Sequence, residues 1–374
     1  MRRLKITTRH AATAMALALG MAAAAEAGDG MTTSISGYGT VGGTFTSDSK
    51  FAYHHGVDEF TGASTTLDVG LESRLGVQAV FDFGSGFSVT AQELAKERAD
   101  KSFDLGTEWL YAQYQATSDL KLRLGRVVLP AFLLSDSRNV GYAATWFRAP
   151  NELYALEPFQ NLDGGQVVWH HGVGPVAVGL QMSYGTTRQN FLVNGLSLPS
   201  NANYGLNESA TIEYGDFLVR AAQTKLVVPT TIPLSATYAI SYDVVDKFTT
   251  VGVQYDDGKT IAMGEWAKRT QNTGPGLPLA LGKSTSWYMA GGRRFGKLTP
   301  MVIYGKVDQG LTLLGPSGNF GAWSGSLRYD LVRNVALKAQ LSRAQAADSV
   351  YWVANDPTST KYVNVYSVGA DFVF

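Results

Sequence analysis

The feature that most constrains this chain is the alternation of apolar and polar residues along strand-length segments. In the segment 67–83, Leu, Val, Ala and Phe dominate one parity, and Asp, Glu, Arg and Gln dominate the other. The segments 176–184 and 335–343 alternate in the same way. A period of two places one residue class on each face of a β-strand. The sequence therefore predicts an all-β protein.

The connections between these segments are of two kinds. Seven are short and most carry the Gly, Asp or Asn that tight turns require, at 83–87, 117–120, 170–175, 214–217, 255–259, 294–298 and 331–334. Eight are long, at 47–66, 97–107, 129–162, 186–204, 229–247, 270–284, 309–320 and 345–361. Two-faced strands joined in this way are typical of an antiparallel β-barrel that crosses a membrane, with apolar side chains in lipid and polar ones in a wet lumen. The fifteen connections predict sixteen strands, with both termini on the periplasmic side.

One segment, PLSATYAISYDVV within 229–247, allows an alternative count. If it formed two more strands, the barrel would have eighteen. That count would place the 255–259 turn outside the cell and the Pro/Gly-rich 270–284 loop on the periplasmic side, against the usual distribution of turns and loops. We therefore interpret 229–247 as a loop.

The final segment, Tyr366–Phe374, alternates up to the last residue of the chain. A barrel closes only when its last strand pairs with its first, and the first segment here is Ser34–Phe45. Because an unpaired strand edge in lipid leaves backbone groups without partners, we expect these two segments to form the closing pair.

Residues 1–27 begin with basic residues, continue through an Ala, Leu and Met run, and end in Ala-Glu-Ala. This order predicts a secretory signal peptide that is cleaved before Gly28. Cleavage removes four of the 31 basic and one of the 31 acidic residues and leaves 27 and 30, a balance that gives no indication of a nucleic-acid partner. The chain has no cysteine and no linker-like segment. We therefore expect residues 28–374 to form a single barrel domain.

Five short segments along the chain are informative about the class of protein. They are SGYG at Ser36–Gly39, LRLGR at Leu122–Arg126, YDDGK at Tyr255–Lys259, YDLVRNVAL at Tyr329–Leu337, and the aromatic C-terminal strand. With these motifs the sequence resembles the trimeric porins of Gram-negative outer membranes. The resemblance implies a sixteen-stranded homotrimeric barrel in the outer membrane, in contact with lipid and lipopolysaccharide. It also implies that the C-terminal strand ending at Phe374 is recognised by the outer-membrane assembly machinery.

The third loop, residues 129–162, is long and rich in apolar residues, which is typical of a folded functional loop rather than a mobile one. In the porin family, the loop after the fifth strand bends into the barrel and narrows it. We expect the same position for this loop.

Charged residues on the loop and on the facing wall are the candidates for the pore constriction. On the loop they are Asp136, Arg138, Arg148, Glu152 and Glu157. On the wall they are Glu72 and Arg74 on the second strand and Lys121 and Arg123 on the fifth. Opposite charges across a narrow pore create a transverse field that orients dipolar solutes. The alternative is that these charges only line a solvated wall or hold the loop in place.

Arg126 is also a candidate, although it shares parity with the lipid-facing Leu122 and Leu124. An arginine in the middle of the lipid face would cost about 2–4 kcal/mol. Either a β-bulge turns Arg126 into the pore or the strand has already reached the rim. We expect the bulge, because the similar Gly-Arg of porins points into the pore.

The leading functional hypothesis is a water-filled channel for passive diffusion of small hydrophilic solutes and ions. The second hypothesis is a channel selective for small anions such as carboxylates or phosphate. An enzyme is disfavoured, because no nucleophile and base are predicted to converge. The pairs His54-His55 and His170-His171 lack a carboxylate at ligand spacing and are interpreted as surface histidines, so no metal or cofactor is expected. Five tryptophans are expected in interfacial aromatic girdles, namely Trp109, Trp169, Trp266, Trp287 and Trp323.

Overall fold

The computed structural model describes residues 31–59, 62–99, 101–193, 196–233, 239–273, 282–310, 318–346, 352–354 and 361–374. The expected signal peptide, residues 1–27, lies outside the described residues. The strands are β1 (Thr32–Thr46), β2 (Phe51–Tyr53), β3 (Arg74–Gly84), β4 (Phe87–Arg98), β5 (Lys101–Gln115), β6 (Leu120–Val128), β7 (Asn161–Val173), β8 (Val176–Val193), β9 (Leu196–Tyr214), β10 (Phe217–Pro233), β11 (Ala239–Asp256), β12 (Thr260–Thr273), β13 (Lys283–Arg293), β14 (Leu298–Gln309), β15 (Gly318–Val332), β16 (Val335–Ala346), β17 (Trp352–Ala354) and β18 (Lys361–Val373).

Sixteen of these strands form one closed antiparallel barrel, which confirms the predicted count. The other two, β2 and β17, pair with each other as a small sheet formed by two of the long loops. No helix among the described residues is long and apolar enough to cross a membrane.

The barrel closes between the first and last strands, as predicted. β1 pairs with β18 from Tyr38 opposite Val373 to Thr46 opposite Val365, and with β3 on its other side. The glycines of β1 make room for the terminal aromatic rings. A Cβ atom at Gly37 would lie 2.2 Å from Cζ of Phe374, and one at Gly39 would lie 2.4 Å from Cζ of Phe372. The SGYG motif therefore belongs to the closing seam of the barrel.

All seven predicted short turns are present between consecutive strands. Two of them show why their residue types matter. Gly215, between β9 and β10, has φ +55°, and Asn334, between β15 and β16, has φ +71°. Glycine and asparagine tolerate this left-handed conformation better than other residues.

Three of the long connections are shorter than predicted. The expected loops 97–107, 186–204 and 229–247 consist largely of strand residues, because the β4–β5, β8–β9 and β10–β11 ladders continue through them. The segment 229–247 therefore lengthens two existing strands instead of forming a plain loop or two new strands. Outside the membrane both faces of a strand can be polar, so alternation no longer reveals the strand.

The first long loop is longer than predicted and runs from residue 47 to 73; we call it loop 1. Its last part was expected to begin the second barrel strand, but β3 starts only at Arg74. The backbone N–H of Leu71 donates to Oδ1 of Asp68 at 2.9 Å. Such a local side-chain bond competes with strand pairing and forms a turn. Glu72 consequently lies in loop 1 and not on the strand.

Aromatic side chains encircle the outer face at the end of the barrel that carries the short turns. Two cross-strand pairs show the arrangement: the rings of Phe87 and Tyr114 are 4.5 Å apart, and those of Phe217 and Tyr255 are 4.8 Å apart. Nearer the other end, three of the five tryptophans are exposed on the outer face, Trp266, Trp287 and Trp323. Trp109, in contrast, lines an inner cavity with Tyr38 and Gln92, so its expected place in a girdle was wrong.

Replacing Phe372 and Phe374 together with alanine is expected to weaken the closing seam. Each lost ring contact should cost about 1 kcal/mol, the size of an aromatic packing interaction. Urea unfolding of the refolded mature protein in detergent measures the loss. Phe295→Ala is the control, since that ring is exposed outside the seam. An equal effect of the control would show that the seam has no special role.

Candidate pore constriction

The long segment between β6 and β7, residues 129–160, folds into the barrel; we call it loop 3. It contains two short 3-10 turns and a one-turn helix at Asn151–Tyr154. Its apolar side chains pack against the inner wall. The Phe132 ring lies 5.3 Å from that of Phe248, and the Trp146 ring lies 5.7 Å from that of Tyr288. The predicted position of this loop inside the lumen is therefore confirmed.

The inner wall is divided into an apolar and a polar side. On β12–β15 the inward side chains include Ile261, Tyr288, Ile303 and Phe320, all buried in one cluster with loop 3. On β4, β7, β8, β9 and β10 the inward side chains include more polar residues, among them Gln92, Gln166, Ser183, Asn207 and Thr224. The polar lumen face expected from the alternation is interrupted on β12–β15, where loop 3 covers an apolar wall and removes it from water.

Polar groups of the wall hold the backbone of loop 3. Nζ of Lys338 donates to the carbonyl oxygens of Gly141, Ala144 and Trp146 at 2.7, 2.7 and 3.0 Å. The carboxylate of Glu265 accepts the N–H of Leu133 at 2.8 Å. These bonds satisfy backbone groups that an irregular buried segment would otherwise leave unpaired.

A buried ion cluster ties loop 3 to loop 1. The guanidinium of Arg148 donates to the carboxylate of Glu72, to Oγ1 of Thr44 at 2.9 Å and to Oγ of Ser367 at 2.6 Å. The same oxygen of Glu72, Oε1, also lies 3.3 Å from Nε2 of His55. We call Arg148, Glu72 and His55, together with Glu59, the anchor cluster.

The pKa values of the anchor cluster reflect this pairing. Burial alone would raise the pKa of Glu72, but Arg148 and His55 hold it well below its usual range. Burial alone would lower the pKa of His55, but Glu59 and Glu72 raise it to about 9. Nδ1 of His55 lies 2.8 Å from Glu59. The interpretation of His54-His55 as surface residues was wrong, since the side chain of His54 is also buried.

The other charged residues of loop 3 differ in their surroundings. Burial raises the pKa of Glu152 to about 7, and burial together with the nearby Asp246 raises that of Glu157 to about 8. Arg138 lies over the rings of Phe132 and Tyr154 and donates to the carbonyl of Tyr154 at 3.1 Å. Asp136 is exposed and lies 3.5 Å from Arg220 on β10.

The wall that faces loop 3 carries cations. Arg74 on β3 and Lys121 and Arg123 on β6 are partly exposed to the lumen, and among the described residues none of the three has a carboxylate partner. Arg123 donates instead to the neutral side chains of Gln113 and Gln166, each at 2.9 Å. A cavity of about 110 Å³ separates loop 3 from Arg74, and Arg138 lines it from the loop side.

Arg126 is not turned inward by a bulge. The register of β6 is unbroken from Leu124 to Arg126 against both neighbouring strands, so that expectation was wrong. Its guanidinium forms two bonds to Asp163, at 2.6 and 2.7 Å, and these offset the cost of its position. Arg126 also lines a polar cavity of about 300 Å³ together with Asp58 of loop 1, Gln160 of loop 3 and the ends of β4, β5 and β8 that lead into long loops, which supports the alternative that β6 has reached the rim.

Sequence reasoning missed two cations of β4. Nζ of Lys96 lies 3.0 Å from Asp58 of loop 1, and Nη2 of Arg98 lies 3.0 Å from Glu108 of β5. Both share the parity of the inward Gln92, so alternation would have identified them. Arg98 was hidden because residues 97–107 were interpreted as a loop.

A closed sixteen-stranded barrel with a long loop folded into its lumen defines the class of outer-membrane channels. A family model described as Gram-negative porin matches residues 11–349, so this chain belongs to the Gram-negative porin family. Its place is therefore the outer membrane, and it is a diffusion channel. No curated protein matches the sequence.

Solved structures share the fold at low sequence identity. OmpT, an outer membrane protein of Vibrio cholerae folded in vitro, matches with a TM-score of 0.61 and 15% identity, over 94% of this chain and 100% of that one. An anion-selective porin from Comamonas acidovorans matches with a TM-score of 0.60 and 12% identity, over 92% and 100%. The channel DcaP of Acinetobacter baumannii matches with a TM-score of 0.57 and 12% identity, over 94% and 100%.

Replacing Arg148 with methionine is expected to release loop 3. The change leaves the buried Glu72 with His55 as its remaining cation, and removing one partner of a buried pair costs up to about 3–5 kcal/mol. Limited proteolysis should cut loop 3 in the variant and spare it in the wild type. The double variant Glu72→Gln with Arg148→Met removes both charges and should recover most of the protection. Equal cleavage of all three proteins would contradict an anchoring role.

Rising pH is expected to loosen loop 3. Protonated His55 stabilises the anchor cluster. This contribution is fully present below pH 6.5, the ordinary pKa of a histidine side chain, and is lost as the pH rises through about 9. The raised pKa values of Glu152 and Glu157 act in the same direction, because their neutral forms are favoured in the folded loop. Protease cleavage of loop 3 should therefore increase between pH 6 and about 9.5. The variant His55→Gln should flatten the upper part of this curve.

Proposed function

We propose that this porin conducts small hydrophilic solutes along the polar side of its lumen and prefers anions. The single observation that carries the proposal is the absence of carboxylate partners for Arg74, Lys121 and Arg123 among the described residues. Fixed cations along a narrow wet path lower the energy of a passing anion and raise that of a cation.

The charges of loop 3 support this assignment by their burial. Arg148 and Glu72 neutralise each other inside the anchor cluster, and burial raises the pKa values of Glu152 and Glu157, which favours their neutral forms. Asp136 remains exposed, but Arg220 lies beside it. The field in the path is therefore set mainly by the wall. In this proposal the residues at the constriction act in two groups, with Arg74, Lys121 and Arg123 facing the solute and the buried residues holding the loop.

The remaining parts of the proposal follow from family membership. The mature protein starts after residue 27 and assembles as a homotrimer, a form recorded for Vibrio cholerae OmpT. The C-terminal strand ending at Phe374 is the recognition signal for the assembly machinery. No catalytic activity is assigned to the chain.

The test is the reversal potential of the refolded mature protein in a planar bilayer under a KCl gradient. The wild type should show permeability for chloride above that for potassium, and Arg74→Gln with Arg123→Gln should shift the potential toward the cation-selective side. The control is Arg343→Gln, an arginine on the outer face over Tyr362. A cation-selective wild type, or equal shifts in variant and control, would overturn the anion preference. Absence of conductance would overturn the channel itself.

A further inference from the structure

Two polar cavities of the protein meet at a thin partition. The cavity of about 300 Å³ near the rim, which we call the outer cavity, lies beside the ends of β4, β5 and β8. The cavity of about 110 Å³ between loop 3 and Arg74 is called the inner cavity. Three residues line both cavities, namely Asp58, Lys96 and Gln160. Their side chains therefore form the partition between the two spaces.

The partition is built from three separate parts of the chain. Asp58 belongs to loop 1, Lys96 to β4 and Gln160 to the end of loop 3. A single atom, Oδ2 of Asp58, accepts both hydrogen bonds, from Nζ of Lys96 at 3.0 Å and from Nε2 of Gln160 at 3.4 Å. A rotation of this one carboxylate breaks both contacts. The partition is thus closed by the position of the Asp58 side chain.

Loop 1 does not depend on this carboxylate to stay in place. The carbonyl oxygen of Val57 accepts the N–H of Leu192 on β8 at 2.6 Å. On the other side of Asp58, the carboxylate of Glu59 accepts the N–H of His55 at 2.6 Å and belongs to the anchor cluster. Because the backbone is held before and after Asp58, its side chain can leave Lys96 without moving the loop.

The ion pair of the partition is also within reach of water. The side chains of Lys96 and Asp58 are 17% and 13% exposed. Ion pairs that water can reach contribute little to stability, since water and other ions compete for both partners. An exchange of the partner of Lys96 therefore costs the fold little.

Cations line the cavities on both sides of Lys96. Arg98 and Arg126 line the outer cavity, and Arg74 and Arg138 line the inner one. An anion that moves between the cavities therefore passes from one cation to the next. Both outer arginines are paired with carboxylates of the strands. At Lys96 the carboxylate belongs to a loop and closes the way.

We propose that Lys96 and Asp58 form a gate that opens for small solutes carrying a carboxylate group. This inference rests on the proposed anion path and names the class of solute that uses it. A carboxylate oxygen of the solute replaces Oδ2 of Asp58 on the ammonium group of Lys96. The displaced side chain turns toward Arg138, which lies close enough for its charge to act on Asp58.

The preference for carboxylates follows from what is replaced. A solute carboxylate forms the same charge-assisted hydrogen bond to Lys96 as the Asp58 carboxylate that it displaces. Chloride is a single sphere with its charge spread over the whole surface, and its contacts with an ammonium group are longer and weaker. Chloride is therefore the poorer competitor for the closed gate.

The test uses the refolded mature protein in a planar bilayer, with KCl on one side and potassium acetate on the other. The reversal potential of the wild type should give an acetate-to-chloride permeability ratio above the ratio of their mobilities in water. In Asp58→Asn this ratio should fall to that of the mobilities. Its KCl conductance should rise about two- to fivefold, the range expected for loss of a partly exposed ion pair. The control is Asp256→Asn, which removes a carboxylate paired with Arg294 at the short-turn end and should change neither value.

A second variant keeps the comparison within one folded channel. The chain has no cysteine, so Asp58→Cys introduces a single reactive thiol. A thiol reagent that carries a sulfonate places a negative charge beside Lys96 again and should lower the KCl conductance. A neutral reagent of similar size should leave it high, and release of the sulfonate reagent by a reductant should restore the conductance.

The outcomes separate the gate from the anion path itself. An unchanged conductance and permeability ratio in Asp58→Asn, or equal effects of the two thiol reagents, would overturn the gate in a channel that still prefers chloride over potassium. A wild type that prefers potassium in a KCl gradient would overturn the proposed anion path and the gate together.

Discussion

Backbone hydrogen bonding in lipid is the constraint on which the rest of this structure depends. The hydrocarbon core offers no partner for an N–H or C=O group, so a sheet in the membrane must close on itself. Here the closure reaches the last residue, since the N–H and the C=O of Phe374 both bond to Gly37. The closing seam requires glycines in the first strand and aromatic rings in the last. Once the barrel is closed, contact with lipid requires apolar side chains on the outer face. The inner face has no such requirement and can carry polar or apolar side chains.

The inner face uses this freedom to build a small protein core inside the barrel. Loop 3 packs on an apolar wall, and Lys338 and Glu265 hold its backbone. Arg148 and Glu72 are paired in the same interior, where an unpaired charge would be costly. Charges that could have faced the solute are thus used to hold the loop. In the proposed function, the wall cations Arg74 and Arg123 remain to act on the passing solute.

The sequence predicted the parts of the fold that lipid constrains. Alternation and turn residues identified the sixteen strands, the seven short turns and the closing pair. Alternation could not define the ends of β8–β11 at the long loops, because outside the membrane both faces of a strand can carry polar residues. For the site, it identified the position of loop 3 but not the surroundings of its charges. The contact of His55 with Glu72 depends on the path of loop 1, and a local turn at Asp68 decided that path. The same limit applies to Arg126. Alternation correctly placed it on the same face as Leu122 and Leu124, but its partner Asp163 lies on β7 and could not be identified from the sequence.

The apolar wall beneath loop 3 has a consequence for any attempt to widen the pore. Deleting the loop would not leave an empty polar tube, because Tyr288, Ile303 and Phe320 would then face water. That exposure would favour collapse of the lumen or association of barrels through their interiors. Loop and wall therefore have to be redesigned together, with polar residues introduced on β12–β15 in the same step. Natural variants that alter the diameter of this channel are under the same restriction, so a change in the loop should be accompanied by a change in the wall.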